Sequence, residues 1–340
     1  MLKDAVLSSL LGEQRFPVLK ERCVHQWHRR ARCARCSDSC PEKAITISGE
    51  GIEIDWKNCT SCGRCIPACP TEAFAPLTQP IPETGQLRVA CTHQQGLVGV
   101  KGRLLLPGLW ALDLSLLRIL AGKGILRLAI QGCEQCGMDG KALEEHRAKL
   151  LESLPGLTIE VAEGGQGGEM SRRDFFSVLG REGHARSLKL AEDVTATVRE
   201  KLVPAKKRSP LVPERRRMLI GLGQRHLAPV LTGMAASDAC DGCMMCARFC
   251  PTGALSEERS EEKGKSLSLG FSSERCVLCD LCLDICPKAA LSYRPFLPSG
   301  DSVLFSASVG ACASCGGEAV GGELCLPCAK ERRLVSGRGG

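Results

Sequence analysis

The chain has 340 residues, 44% hydrophobic and only 4% aromatic, too long for one core and suited to two or three domains. Most of its twenty-three cysteines fall in C-x2-C runs, which points to metal ligands in a reducing compartment and excludes the disulfide scaffold of a short secreted chain. The formal net charge of +7 has the sign of a nucleic-acid binder. No stretch reaches membrane-spanning length, and no dinucleotide fingerprint, P-loop or serine-hydrolase elbow occurs, so the chain is expected to be soluble, cytoplasmic and free of bound nucleotide or flavin.

Residues 1–22 are expected to form an N-terminal helix; Lys3, Asp4, Glu13 and Arg15 interrupt its apolar residues, against a cleavable signal. A first cysteine unit is expected over residues 23–80. Cys59, Cys62, Cys65 and Cys69-Pro70 are spaced C-x2-C-x2-C-x3-C-P, after a strand-like stretch at 51–55. Upstream, Cys33, Cys36 and Cys40-Pro41 fill the last three positions of the same run, and Arg30 stands at the first. This spacing resembles bacterial dicluster ferredoxins, in which three thiolates on one tight loop hold three irons of a 4Fe-4S cubane and the fourth comes from the other half of the fold. The resemblance implies one cluster on Cys59, Cys62, Cys65 and Cys40, and a second on Cys33, Cys36, Cys69 and one further ligand. Cys23, seven residues before Arg30, is the expected substitute; His25, His28, a three-iron cluster or a merely buried Cys23 are the alternatives.

Residues 86–163 read as a small α/β unit. Short apolar runs at 87–91, 104–106, 125–130 and 157–161 are expected strands. Leu109, Leu112, Leu116 and Leu120 recur at helical spacing, with Asp113 as cap and Gly122 or Gly124 past the end. A right-handed β-α-β arrangement with a parallel sheet follows, placing Cys91, Gly108 and the Cys133-x2-Cys136 pair beyond strand C-termini, where open α/β sheets carry their sites. Residues 103–136 also resemble the iron-sulfur delta subunit of methyl-viologen-reducing hydrogenase, which passes electrons to heterodisulfide reductase. That resemblance implies a 2Fe-2S cluster, but Gly108 stands where the family has a cysteine, leaving Cys91, Cys133 and Cys136 with His93 as a conceivable fourth ligand. A cluster-free docking domain, a metal or 2Fe-2S site and redox-active thiols all stay open here.

Glycines at 164–168 read as a joint, and residues 171–230 as a basic helical linker broken by prolines. Ser171-Arg172-Arg173-Asp174 looks like a twin-arginine motif, but lies mid-chain and reads better as a helix start. The basic runs at 206–208 and 215–217 read as solvated linker or helix face.

A second cysteine unit spans residues 235–296. Cys240, Cys243, Cys246 and Cys250-Pro251 carry the full ferredoxin run, and Cys276, Cys279, Cys282 and Cys286-Pro287 repeat it. The ferredoxin resemblance assigns Cys240, Cys243, Cys246 and Cys286 to one cluster, and Cys276, Cys279, Cys282 and Cys250 to the other. Zinc knuckles are the weaker reading, since they use C-x2-C pairs. The charged insert 257–265 reads as a solvated loop. Across both units Cys-Pro is followed four times by Ala and an apolar residue, at Ala44-Ile45, Ala73-Phe74, Ala254-Leu255 and Ala290-Leu291. In the tail, residues 308–333, Cys312-x2-Cys315 and Cys325-x2-Cys328 read as a four-cysteine zinc-ribbon-like knuckle that closes a segment too short for a core.

The expected fold is therefore α+β and multidomain: two dicluster ferredoxin-like domains flanking a small parallel-sheet domain, with the knuckle behind. Sixteen ligating thiolates against four oxidised cluster cores add about −8, so the basic excess reads as compensation rather than a nucleic-acid footprint. The expected function is single-electron transfer to or from a partner such as a hydrogenase, formate dehydrogenase, heterodisulfide-reductase-like or flavin oxidoreductase. A reductase using Cys91, Cys133 and Cys136, and a nucleic-acid-binding or regulatory protein with structural clusters, are the rival classes.

Overall fold

The computed structural model describes residues 16–48, 51–75, 81, 86–93, 103–154, 156–161, 210–223, 231–261, 265–295 and 302–336. Residues 1–15 of the expected N-terminal helix, the glycines at 164–168, the Ser171 helix start and the basic run at 206–208 lie outside them. Among the described residues no helix is long and apolar enough to cross a membrane.

The first cysteine unit contains two single-turn helices, α1 (Arg35–Asp38) and α2 (Cys65–Ala68), and an antiparallel hairpin of β1 (Ile45–Ser48) and β2 (Gly51–Ile54). Its outer edge closes where Val18 bridges Phe74, with Leu19 N donating to Ala73 O at 2.7 Å. Phe74, Ala73 and Ile52 are buried there, so the apolar residue after each Cys-Pro-x-x-Ala is a core anchor.

The middle domain is a four-stranded parallel sheet in the order β4-β3-β5-β6, built from β3 (Gln86–Cys91), β4 (Arg103–Leu106), β5 (Arg127–Ile130) and β6 (Thr158–Val161). Between β4 and β5 runs α3 (Leu114–Gly122), and between β5 and β6 runs α4 (Gly140–Ser153). Asp113 caps α3 as its spacing predicts, Oδ1 accepting from Leu116 N at 3.1 Å. Leu116, Leu117, Ile119 and Leu120 are fully buried, together with Leu87, Leu104, Ile125 and Leu128 from the strand segments. This packing supplies the stability that a nine-residue helix cannot supply alone.

A short helix α5 (Glu214–Gly221) ties the three domains together and corrects the reading of the basic run at 215–217 as a solvated face for Arg215 and Arg216, while Arg217 is exposed. Arg215 is 7% and Arg216 8% exposed. Arg215 Nη1 pairs with Asp113 at 2.6 Å, and Arg216 Nη2 donates to the Cys276 carbonyl in the second cysteine unit. The amides of Glu214 and Arg215, unpaired in any helix at this position, donate to the Glu72 carboxylate of the first unit at 2.9 and 2.8 Å. Burying guanidinium groups is favourable only because these partners meet them.

Burial pushes the Glu72 carboxyl above the ordinary carboxylate range, with the Arg215 amide and guanidinium and the Glu214 amide pulling the other way. The folded chain therefore holds this proton more tightly than the unfolded chain does. The resulting stability is complete below the ordinary glutamate pKa of about 4.3 and is lost as pH rises through the folded value. Glu72→Gln removes that dependence, so its denaturation midpoint is expected to fall less steeply than the wild type's as pH rises above the ordinary glutamate value of about 4.3. Parallel slopes for the two proteins would contradict this account.

The second cysteine unit has β7 (Gly233–Ala236), α6 (Met245–Arg248), a hairpin of β8 (Leu255–Ser260) and β9 (Ser266–Phe271), α7 (Leu281–Ile285) and β10 (Leu291–Arg294), which pairs antiparallel with β7. The expected loop at 257–265 is corrected: Glu257 to Ser260 continue β8, Glu257 half-buried and the next three exposed in side chain, all paired through the backbone with β9. The reason lies further along the chain. A ten-residue strand, β11 (Ser302–Ala311), pairs with β9 on one side and with β12 (Glu318–Val320) on the other, extending the hairpin into a sheet of order β12-β11-β9-β8. The tail, which carries α8 (Leu326–Ser336), is thus joined to the second unit by backbone pairing. At the sheet's two edges, Arg259 of β8 reaches Glu318 of β12 at 2.9 Å.

Candidate metal centres

The four Cys-Pro repeats adopt one backbone form. The third residue after each cysteine is left-handed: Lys43 (φ 50°), Glu72 (φ 52°), Gly253 (φ 63°) and Ala289 (φ 46°). That turn swings the next amide back onto the sulfur, and Ala44, Ala73 and Ala290 N–H donate to Cys40, Cys69 and Cys286 Sγ at 3.3, 3.3 and 3.4 Å. The alanine in the repeat is small because it is buried against its own loop, at 4% exposure or less in all four copies. The C-x2-C loops use the same device at Ser61, Met244 and Leu278, all with positive φ. Amide donors aimed at sulfur favour thiolate, the form a metal requires.

These loops bring the cysteines together in crossed sets. Cys40 lines one cavity with Cys59, Cys62 and Cys65, and Cys286 lines another with Cys240, Cys243 and Cys246. Cys250 lies beside Cys276, Cys279 and Cys282, and Cys69 beside Cys23, Cys33 and Cys36, close enough that neighbouring thiolates raise one another's pKa. Burial pushes Cys23 to about 11 and Cys36, Cys246 and Cys279 to about 12. Without metal these thiols stay protonated at neutral pH; a cationic iron core supplies the compensation, so the donor chemistry fits such a group. The rivals of Cys23 are engaged elsewhere. His25 Nε2 lies 2.8 Å from Cys33 O, and His28 receives the Arg30 amide on Nδ1 and packs edge-on against Phe249 at 4.8 Å.

Residues 29–73 and 239–290 both match the family described as 4Fe-4S dicluster domain. The chain thus carries two 4Fe-4S dicluster ferredoxin-like domains. No curated protein matches it. The two ferredoxin domains point to iron-sulfur electron transfer.

The ferredoxin domains dock on each other. Val24 and Ala31 of the first form a small core with Leu281 and Ile285 of the second, flanked by Trp27, Phe249, Cys33 and Cys279. Around it, Arg35 pairs with Asp280 at 2.5 Å, and Arg32 N donates to Asp284 at 2.8 Å. Sequence reasoning missed this contact, because its partners stand some 250 residues apart and no local pattern marks them.

Among the described residues, two further groups hold all their donor atoms within 4.8 Å of one another. One is Cys91, His93, Cys133 and Cys136; the other is Cys312, Cys315, Cys325 and Cys328. The ferredoxin thiols are not among these compact groups, as a cubane requires, whose outer thiolates stand roughly 6 Å apart. In the tail, Cys315 and Cys325 sulfurs are 3.6 Å apart, and amides of Cys325, Cys315 and Ser314 pull the Cys312 thiol down to about 6.

Gly108 has a packing role that its place in the sequence does not reveal. A β-carbon there would fall 2.0 Å from the Cys62 carbonyl oxygen, so the first ferredoxin domain leaves no space for any side chain. Beside this contact, Arg64 stacks over Trp110 at 3.7 Å, and Trp110 Nε1 donates to Cys136 O at 3.0 Å.

Proposed function

We propose that this chain relays single electrons through four 4Fe-4S clusters to or from a partner oxidoreductase, with its two ferredoxin domains joined in series. Supporting this is the docked core that carries Cys33 and Cys279 on its flanks, so that the inner cysteine sets of the two domains face each other across a dry contact. The proposed ligand sets are Cys40, Cys59, Cys62 and Cys65; Cys23, Cys33, Cys36 and Cys69; Cys250, Cys276, Cys279 and Cys282; and Cys240, Cys243, Cys246 and Cys286. When bound, each cluster takes up and gives back one electron at a potential set by its surroundings. The chain's part is to bury the thiolates, aim amides at them and hold the domains in register. The hydrogenase delta-subunit resemblance favours a partner of the hydrogenase or heterodisulfide-reductase type. The nucleic-acid reading loses support because Arg215 and Arg216 turn inward. Cys312, Cys315, Cys325 and Cys328 are proposed to hold zinc, since sulfurs about 2.3 Å from a tetrahedral ion lie about 3.8 Å apart.

Anaerobic purification with iron and sulfide analysis, followed by EPR at graded potentials, tests the reading. Four one-electron centres are expected; colourless protein without labile sulfide would overturn it. Arg216 offers a finer check. Its guanidinium meets the Cys276 loop, so Arg216→Met makes electron gain there less favourable and is expected to lower that centre's midpoint potential. An unmoved midpoint would remove Arg216 from this role.

A further inference from the structure

The compact donor group of the middle domain sits at the carboxyl edge of the parallel sheet. Cys91 ends β3, His93 follows two residues later, and Cys133 and Cys136 lie on the turn after β5. The three cysteines are 0%, 7% and 3% exposed. The turn itself is shaped for a ligand. Cys133 N donates to Met138 O at 2.8 Å, Met138 N donates back at 3.1 Å, and Gly137 is left-handed (φ 60°), which folds both sulfurs to one side. Amides of His93, Cys136 and Leu109 are directed at Cys91, Cys133 and Cys136 in turn.

We propose that Cys91, His93, Cys133 and Cys136 hold a single tetrahedral thiophilic divalent ion, zinc or iron, in place of a binuclear cluster. The spacing decides the nuclearity. Two irons bridged by sulfide put ligands on opposite irons roughly 5 Å or more apart, because the iron-ligand bonds splay away from each other. Here every donor lies within 4.8 Å of every other. A nitrogen at about 2.0 Å and a sulfur at about 2.3 Å from one tetrahedral ion are about 3.5 Å apart; His93 Nδ1 and Cys136 Sγ are separated by 3.3 Å. Four protein donors close the coordination sphere, as in structural sites. The missing cysteine at Gly108 is then no defect, since the ion needs no donor there and the ferredoxin domain occupies the space. The ion clamps β3 and the Cys133 turn beside Leu109, and so holds the Gly108 backbone against Cys62.

The test uses the intact chain purified anaerobically, with metal and labile-sulfide analysis and X-ray absorption at the zinc and iron edges. Cys133→Ser is expected to lose one metal ion per chain with labile sulfide unchanged. The edge that changes identifies the ion. His93→Cys is expected to keep the ion while its ligation moves from three sulfurs and one nitrogen to four sulfurs. Joint loss of iron and sulfide from Cys133→Ser would establish a binuclear cluster and overturn the proposal, as would no change in metal content. Should Cys133→Ser fold poorly, His93→Cys carries the test alone: coordination indistinguishable from wild type would overturn it. Because the ferredoxin clusters are counted separately by labile sulfide, their failure and the failure of this site are distinguishable.

Discussion

Cys23→Ser is expected to deprive the chain of one of its four proposed clusters, with iron and acid-labile sulfide each falling by up to about a quarter. Cys23 sits in extended backbone between two 3-10 turns, Lys20–Arg22 and Val24–Gln26, which carry the thiol into the first ferredoxin domain beside Cys33, Cys36 and Cys69. It lies outside the residues that match the dicluster family, which begin at residue 29. The substitution exchanges a soft thiolate for a hydroxyl that binds iron poorly, so either the whole cluster is lost or a three-iron form replaces it, visible by EPR in the oxidised protein. Burial holds the free thiol near 11, so ligation must expel its proton, and cluster retention at this position should weaken as pH falls. Iron content and EPR spectrum identical to wild type would show that Cys23 is a buried hydrophobe.

The second large effect is expected at Asp113. This carboxylate caps α3 through Leu116 N and also pairs with Arg215, which is nearly inaccessible to water. Asp113→Ala loses the cap, worth about 1 kcal/mol, and leaves a buried guanidinium without its counter-ion, worth about 3 kcal/mol or more. A destabilisation of about 3–5 kcal/mol, measured as a shift of the denaturant midpoint, is expected. Much of the loss comes from the stranded charge, so Arg215→Met placed on top of Asp113→Ala should recover part of it. A single-variant loss below about 1 kcal/mol, or simple additivity of the two changes, would mean that the pair contributes little.

What could be read from the residues in advance follows their range of action. The Cys-Pro repeats were legible because the turn that aims an amide at sulfur is made within five residues, and the buried alanine is part of that turn. Asp113 was legible as a cap for the same reason, since its acceptor meets Leu116 three residues on. The middle strands showed as short apolar runs because a parallel sheet covered by helices hides both faces. Arg215 and Arg216 could not be read, because their partners are 102 and 60 residues away and a basic run looks alike whether solvated or buried. Gly108 misled for a related reason: a residue chosen to admit another domain's backbone looks, in one dimension, like a lost ligand. The strand at Glu257–Ser260 lacked the apolar alternation that would announce it, its partner β9 supplying backbone bonds rather than a buried face.

The four-stranded sheet joining the second ferredoxin domain to the tail has two borders of different character. One border is β8, which carries the exposed charged side chains of Glu258 and Arg259; the other is β12, three residues long and too short to template a partner. Arg259 and Glu318 also pair from border to border, setting charge at both rims. Charge on one border and brevity on the other make this sheet a poor template for edge-to-edge pairing between copies of the chain.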